Sequence, residues 1–363
     1  MNTLNKQSRT MNLSSLIEQM SHLDGTEFDE IFEEQQTRIK LFSEVATFCE
    51  LAYEHNNLHC VTVLQKILYK IYSLHTNIPI PGAKTAESSF TLNGVRNLIE
   101  KHFIEYEENL ISPSIWKDIP VDPHNYSDWL LEIIHNHPAY KHPLYEDYLN
   151  KYATLDDLRY FLVQETTIDT RFDDFLALIQ LGTDDGIKLE IASNYWDEMG
   201  NGDKSRMHTV MFSRTMDNVG IDSTVYSEDL TPEALICGNL SLMLSLRRKH
   251  FYKAIGYFAA TEYMTPRRFK NVLTAWQRNG LKLSGAEYHK EHIRIDAIHA
   301  NDWFKNVLSP VIEKNPDTAL EITRGALYRL NTSKRYLDML LSKFTHQQTQ
   351  VAQHNERLPI IAR

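Results

Sequence analysis

His292-Ile-Arg-Ile-Asp296-Ala-Ile-His299 is the stretch on which the reading of this sequence turns. Successive residues of an α-helix rotate by about 100°, so Asp296 falls about 40° and His299 about 20° from His292. Three metal-competent side chains therefore leave a single helical stripe. Two imidazoles and a carboxylate converging in this way suit a first-row metal such as iron or manganese, and the interior of a helical bundle is where such ligands meet. The plain alternative is a solvated polar face. His289 and Trp303 fall close to the same stripe; His289 reads either as a further ligand or, more ordinarily, as polar lining.

Outward from this octapeptide the chain is helical in pattern. Strand-like alternation is hard to find, and apolar residues recur at helical spacing. The spacing predicts helices near Phe28–His55, Leu58–Leu74, Leu92–Asn109, Ser127–Asn136, Leu155–Leu181, Asp185–Met199, Ser205–Val219, Pro232–Tyr263, Pro266–Asn279, Ala286–Leu308 and Thr318–His354. Thr231-Pro232 and Thr265-Pro266 each place a capping Thr before a Pro at the first helical position, a start signal. Pro113, Pro120, Pro123, Pro138 and Pro143 crowd one stretch. They suggest a division into an N-terminal helical region over residues 1–150, of unassigned role, and a ligand-bearing domain over 151–363. Residues 1–25 read as a loose polar lead. The tail after Gln350 turns apolar at Leu358–Ile361.

Three more places carry candidate ligands. Glu198 and His208 are ten apart, about 80° off a common helical stripe. They converge only if the chain is distorted between them, and Gly200-Asn201-Gly202 permits such a break; the same residues also read as a simple loop between two helices. Glu262 stands in the apolar run Ala254–Tyr263, where an unpartnered carboxylate is costly. Its alternative reading is a helix-end Glu partnered by Arg267 or Arg268. Glu165 follows the apolar run Phe161-Leu-Val, with a structural hydrogen bond as the competing role.

Composition excludes other classes. Among 363 residues, 42 % are hydrophobic, enough for a sizeable core, and the net charge of −10 argues against a broad nucleic-acid surface. Cys49, Cys60 and Cys237 form no CxxC pair and read as buried thiols of a reducing compartment. No long apolar run or signal peptide appears, so a cytoplasmic protein with no membrane contact is expected. There is no H-E-x2-H, P-loop or GxGxxG pattern. Glu132-Ile-Ile-His135 is a single copy of the E-x2-H pair that ferritin-type sites repeat on two helices.

With Glu198, His208, Glu262, His292, Asp296 and His299 on the page, the sequence resembles the heme-oxygenase-like di-iron oxidases and oxygenases, the iron-containing redox enzyme family. The flanking text Gln164-Glu165, Tyr195-Trp-Asp-Glu-Met-Gly200 and Thr261-Glu-Tyr-Met-Thr-Pro-Arg-Arg268 is similar too, over about Thr154 to Lys343. The resemblance implies an all-α, heme-oxygenase-like helical bundle with an additional N-terminal helical region. It implies two Fe(II) ions held by those six residues, with Glu165 or Glu190 as a candidate further carboxylate and dioxygen as co-substrate. Glu198, His208 and His299 would surround one iron, and Glu262, His292 and Asp296 the other. The implied activity is N-oxygenation of an amine or amino-acid-like compound, or C–H cleavage leading to desaturation or fragmentation. A small-molecule substrate, an external electron donor and a homodimer are the partners it suggests. Tyr195, Trp196, Tyr263, Tyr288 and Trp303 are the aromatic residues placed to shape a pocket. The competing classes are a non-catalytic scaffold of the same fold, a haem protein with one axial histidine, and a thiamin-salvage-like hydrolase using Cys237.

Overall fold

The computed structural model describes residues 22–222 and 229–357, with Leu13, Leu16, Glu18 and Met20, and side chains as far as residue 346. Most of the polar lead, and the apolar tail Leu358–Ile361, lie outside the described residues. The described chain is all-α, with no strand. It forms two compact units, residues 1–109 and 110–363.

The first unit holds α1 (Gly25–Ile31), α2 (Gln35–Tyr53), α3 (Leu58–Thr76) and α4 (Phe90–Asn109). Its core forms where apolar residues recur every three or four positions: Val45 and Cys49 on α2, Leu64, Ile67, Leu68 and Ile71 on α3, Val95, Ile99 and Phe103 on α4. The single helix predicted over Phe28–His55 is broken between Ile31 and Gln35. The break leaves Asp29 on a short helix whose carboxylate accepts the Phe90 and Thr91 amides at 2.8 and 2.9 Å, capping α4 from outside it.

The second unit comprises α5 (Pro123–Asn136), α6 (Leu155–Asp169), α7 (Phe172–Ile179), α8 (Asp185–Glu198), α9 (His208–Asn218), α10 (Pro232–Leu246), α11 (Phe251–Arg278), α12 (Glu287–Asp302), α13 (Ser309–Lys314) and α14 (Thr318–Arg357). The proline-rich stretch belongs here rather than with the first unit. The Tyr126 hydroxyl meets Thr323 Oγ1 at 3.0 Å, and Glu146 accepts two bonds from Arg267, at 2.8 and 2.7 Å.

The Thr231 start signal holds, its hydroxyl accepting the Ala234 amide at 3.2 Å. The Thr265 signal does not: α11 runs straight through Pro266. Ala254–Ala260 are fully or nearly fully buried against neighbouring helices, so packing holds the helix where local preference would restart it, and Thr265 instead bonds back to the Thr261 carbonyl at 2.9 Å. Pro266 has no N–H to offer the Glu262 carbonyl one turn earlier. The helix predicted over Leu155–Leu181 is two, α6 and α7, divided at Thr170–Arg171. That over Pro232–Tyr263 divides at Arg247, whose ψ of 103° is extended. After α12 the chain continues as a π-helical stretch, Trp303–Leu308, that buries Trp303, Phe304, Val307 and Leu308. Helix α11 packs against both α12 and α14. Among the described residues no helix is long and apolar enough to cross a membrane.

Candidate metal centre

Four helices deliver the six nominated side chains to one place. Glu198 ends α8, His208 begins α9, Glu262 lies midway along α11, and His292, Asp296 and His299 line α12. None is more than 5 % exposed. The turn between Glu198 and His208 is a loop rather than a bulged helix. Gly200, Asn201 and Gly202 all adopt positive φ, at 63°, 54° and 87°, and the reversal leaves Glu198 Oε2 2.7 Å from His208 Nδ1. A Cβ on Gly200 would sit 2.5 Å from the Arg206 carbonyl carbon and 2.6 Å from the Met207 nitrogen. Gly200→Ala is therefore expected to lower the unfolding free energy by roughly 1–3 kcal/mol and to weaken metal binding at the Glu198–His208 end. Chemical unfolding and metal titration of the variant check this.

The six residues fall into two groups of three, Glu198/His208/His292 and Glu262/Asp296/His299. Within each, one candidate ligand atom per residue lies within 4.8 Å of the others. His292 Nε2 is 3.9 Å from Glu198 Oε1; His299 Nδ1 is 3.6 Å from Glu262 Oε2 and 3.8 Å from Asp296 Oδ1. The pairing predicted from sequence exchanges the two histidines. His292 and His299 are separated by about 10 Å along α12, and the Tyr288 end of that helix packs against α9. There the His208 and His292 rings approach to 4.3 Å and Phe212 stacks edge-on against Tyr288. His292 accordingly meets His208, and His299 meets Glu262.

Groups not nominated as ligands from sequence orient these two sets. The Tyr288 carbonyl accepts from His292 Nδ1 at 2.8 Å, leaving Nε2 with a free lone pair facing Glu198. Asp197 accepts from His299 Nε2 at 3.0 Å, leaving Nδ1 toward Glu262 and Asp296. Buried Asn194 donates to Glu262 Oε1 at 2.9 Å. Carboxylate and carbonyl partners of this kind fix ring orientation and basicity in metal sites. The available signal was the spacing Asn194, Asp197, Glu198, three polar residues on one face of α8. Asp197→Ala is expected to weaken metal binding roughly 10–100-fold with little change in unfolding midpoint of the metal-free protein, checked by competition with a chromophoric chelator.

The electrostatics fit a cation. Burial, then the Glu262 and Glu198 charges, push Asp296 well above the usual carboxylate range. Burial opposes protonation of His299, but Glu262 and Asp197 outweigh it and raise it to about 9; the Glu198 charge likewise outweighs burial and raises His208. Burial holds His292 well below its ordinary value. Asp296 Oδ1 and His299 Nδ1 are buried with no hydrogen-bond partner. Three enclosed carboxylates beside three imidazoles, with unpartnered atoms on Asp296 and His299, are what hard divalent cations satisfy.

The two further carboxylates belong to neither group, although Glu165 lines the cleft that reaches Glu198, Glu262, His292 and Asp296. Glu165 accepts from the Tyr336 hydroxyl at 2.6 Å and Glu190 from Asn306 at 2.8 Å, both outside the two groups. Asp169, one turn beyond Glu165, lines a cleft together with Glu198, His292 and Asp296, and its buried Oδ2 has no partner. The cleft has about 520 Å³ of empty space, part of it open to solvent. Of the five aromatic residues nominated to shape a pocket, Tyr288 lines it; Trp303 is fully buried, and Trp196 is exposed.

His289 belongs to neither group. It is fully buried, its ring 4.6 Å from that of Phe269, with both nitrogens unpartnered. Burial pushes it down to about 3, so it stays neutral in the fold while the unfolded chain takes up a proton below about pH 6.5. Stability is complete above that pH and falls as pH drops toward 3, by about 2 kcal/mol at pH 5. Metal-free His289→Phe is expected to flatten this dependence between pH 7 and 5, read from urea midpoints.

Residues 159–334 match the model of a family described as iron-containing redox enzymes, a span that contains both groups. The match spans a little under half of the chain. Among curated proteins it is similar to the nitrosourea synthase of Streptomyces achromogenes subsp. streptozoticus, 27 % identical over 135 residues. Those residues are 36 % of this chain and 28 % of that protein, so the match covers little more than a quarter of the relative. Among solved structures it is similar to a domain of unknown function with a heme oxygenase-like fold from Shewanella denitrificans, at 16 % identity and a TM-score of 0.46, covering 66 % of this chain and 96 % of that one.

Proposed function

We propose that the two groups hold two Fe(II) ions and that the protein uses them with dioxygen to oxidise a small nitrogen-bearing molecule. N-oxygenation of an amine or amino-acid-like compound is the first reading, and C–H cleavage the second. The observation that carries this is the arrangement of six buried ligand candidates as two triads within residues 159–334, the segment that matches the model of an iron-containing redox family. Bound iron supplies one-electron chemistry and open positions for dioxygen. The chain supplies the rest. Asp197 and the Tyr288 carbonyl fix which nitrogen of His299 and of His292 faces the centre, Asn194 holds one oxygen of Glu262, and Phe269 and Phe172 form apolar wall against water. The nitrosourea synthase similarity favours nitrogen as the oxidised atom, since making a nitroso group oxidises nitrogen.

A Cys237 hydrolase finds no support: burial pushes that thiol up to about 11, which keeps it protonated at neutral pH. The test is to supply iron-loaded protein with a reductant, isotopically heavy dioxygen and a panel of amines and amino acids. Heavy oxygen in a product, absent with Glu262→Gln, supports the reading. Iron-loaded protein that consumes no oxygen with any of them contradicts it.

A further inference from the structure

The cleft that reaches the metal ligands also reaches two buried guanidinium groups. Arg268 comes from α11 and Arg329 from α14, and both line it beside Glu262 and Asp296. They are 6 % and 8 % exposed, and neither makes an ion pair with a described carboxylate. Arg268 is held by neutral acceptors, Ser333 Oγ at 3.0 Å and the Ala139 carbonyl at 2.9 Å, and lies 5.5 Å from the Tyr145 ring. Arg329 lies 5.5 Å from the Tyr257 ring. The Nε of each has no partner. Two acids line the cleft near them: Glu165, tied to Tyr336 at 2.6 Å, and Asp169, whose buried Oδ2 has no partner.

Two guanidinium groups buried without ion-pair partners are costly. Here Glu165 and Asp169 line the same cleft without forming an ion pair with either group, so both guanidinium groups keep an unpartnered Nε in a cleft that also reaches the carboxylates and imidazoles of the ligand cluster. A bound anion would give the two groups the partners they lack, and the planar guanidinium fork matches a carboxylate. Arg268 follows Glu262 by six residues, about 9 Å along α11, so an anion held there leaves several bonds between itself and an atom at the ligand cluster.

We propose that Arg268 and Arg329 anchor the carboxylate of the substrate, which is therefore a carboxylate-bearing amine whose nitrogen end reaches the ligand cluster. The proposal rests on reading that cluster as the oxidising centre, and names the class of molecule it takes.

The test is calorimetric binding of 6-aminohexanoate, hexanoate, hexylamine and hexyl phosphate to anaerobic iron-loaded protein, with iron per chain measured alongside. The expected result is that both carboxylates bind roughly tenfold or more tighter than hexylamine, and that Arg329→Gln and Arg268→Gln remove the difference while keeping the iron. Arg329→Lys, which retains the charge, is expected to fold and to keep part of the preference. Iron binding absent from the wild type sinks the metal reading. Iron present, with carboxylates binding no better than hexylamine, not binding at all, or unaffected by both Arg329 substitutions, overturns the anchor alone. Tighter binding of hexyl phosphate than of hexanoate overturns the assignment to a carboxylate.

Discussion

His292→Ala protein is expected to hold one iron per chain where the wild type holds two, and His299→Ala protein to hold one as well, but the other one. The two histidines lie on one helix yet serve different groups. Losing His292 leaves the Glu198–His208 pair, 2.7 Å apart, with no third donor, while Glu262, Asp296 and His299 keep their set. Losing His299 strips the second group and also leaves Asp197 without its imidazole partner. Either variant should lose oxygen-dependent turnover altogether, because the proposed chemistry needs both metals. The two should differ in the spectrum of the remaining iron, whose ligands are two carboxylates and one imidazole in the His292→Ala protein and two imidazoles and one carboxylate in the His299→Ala protein. Retention of two irons in either variant contradicts the grouping.

A comparably large effect is expected from adding a single methyl group to a residue that is no ligand. Helices α11 and α14 touch backbone to backbone at Gly256 and Gly325. A Cβ at Gly256 would lie 1.9 Å from the Ile322 carbonyl oxygen, and one at Gly325 would lie 1.8 Å from that of Lys253. Neither obstacle is a flexible side-chain end, so the helices must separate. Overpacking costs about 1–3 kcal/mol, occasionally more, and a backbone clash on both sides puts Gly256→Ala and Gly325→Ala at or above the top of that range. Separation also displaces Glu262 and Arg268 on one helix from Arg329 on the other, so iron affinity should fall together with the unfolding midpoint. Gly186→Ala, where nothing lies within 4 Å, is the control and should change stability little. Unchanged urea midpoints for both inward variants contradict this account of the contact.

The part of the site that obeys regular helix geometry was legible in the sequence. His292, Asp296 and His299 share a stripe because the rotation per residue is constant, and they are buried together as that stripe requires. The approach of His208 to Glu198 was not calculable from spacing, since it depends on three consecutive positive-φ residues whose reversal no helical wheel contains. Which histidine joins which carboxylate was likewise hidden, because it is set by how α9 packs on α12 and not by either helix alone. The Thr265-Pro266 start signal misled for a related reason: tertiary burial of α11 overrides a local preference. The alternative reading of Glu262 gave it Arg267 or Arg268 as a partner. The structure sends Arg267 to Glu146, 121 positions away in sequence, and Arg268 into the cleft. Adjacent residues on a helix point about 100° apart, and only the packed fold says what each direction meets.

The central claim is a paired iron centre, and anaerobic titration of the intact protein with Fe(II), followed by rapid mixing with dioxygenated buffer, tests it most directly. The account predicts that binding saturates at two irons per chain and that oxygen produces a transient visible absorbance that neither His292→Ala nor Glu262→Ala protein shows. Saturation at no iron, or a response to oxygen that survives both substitutions, would contradict it.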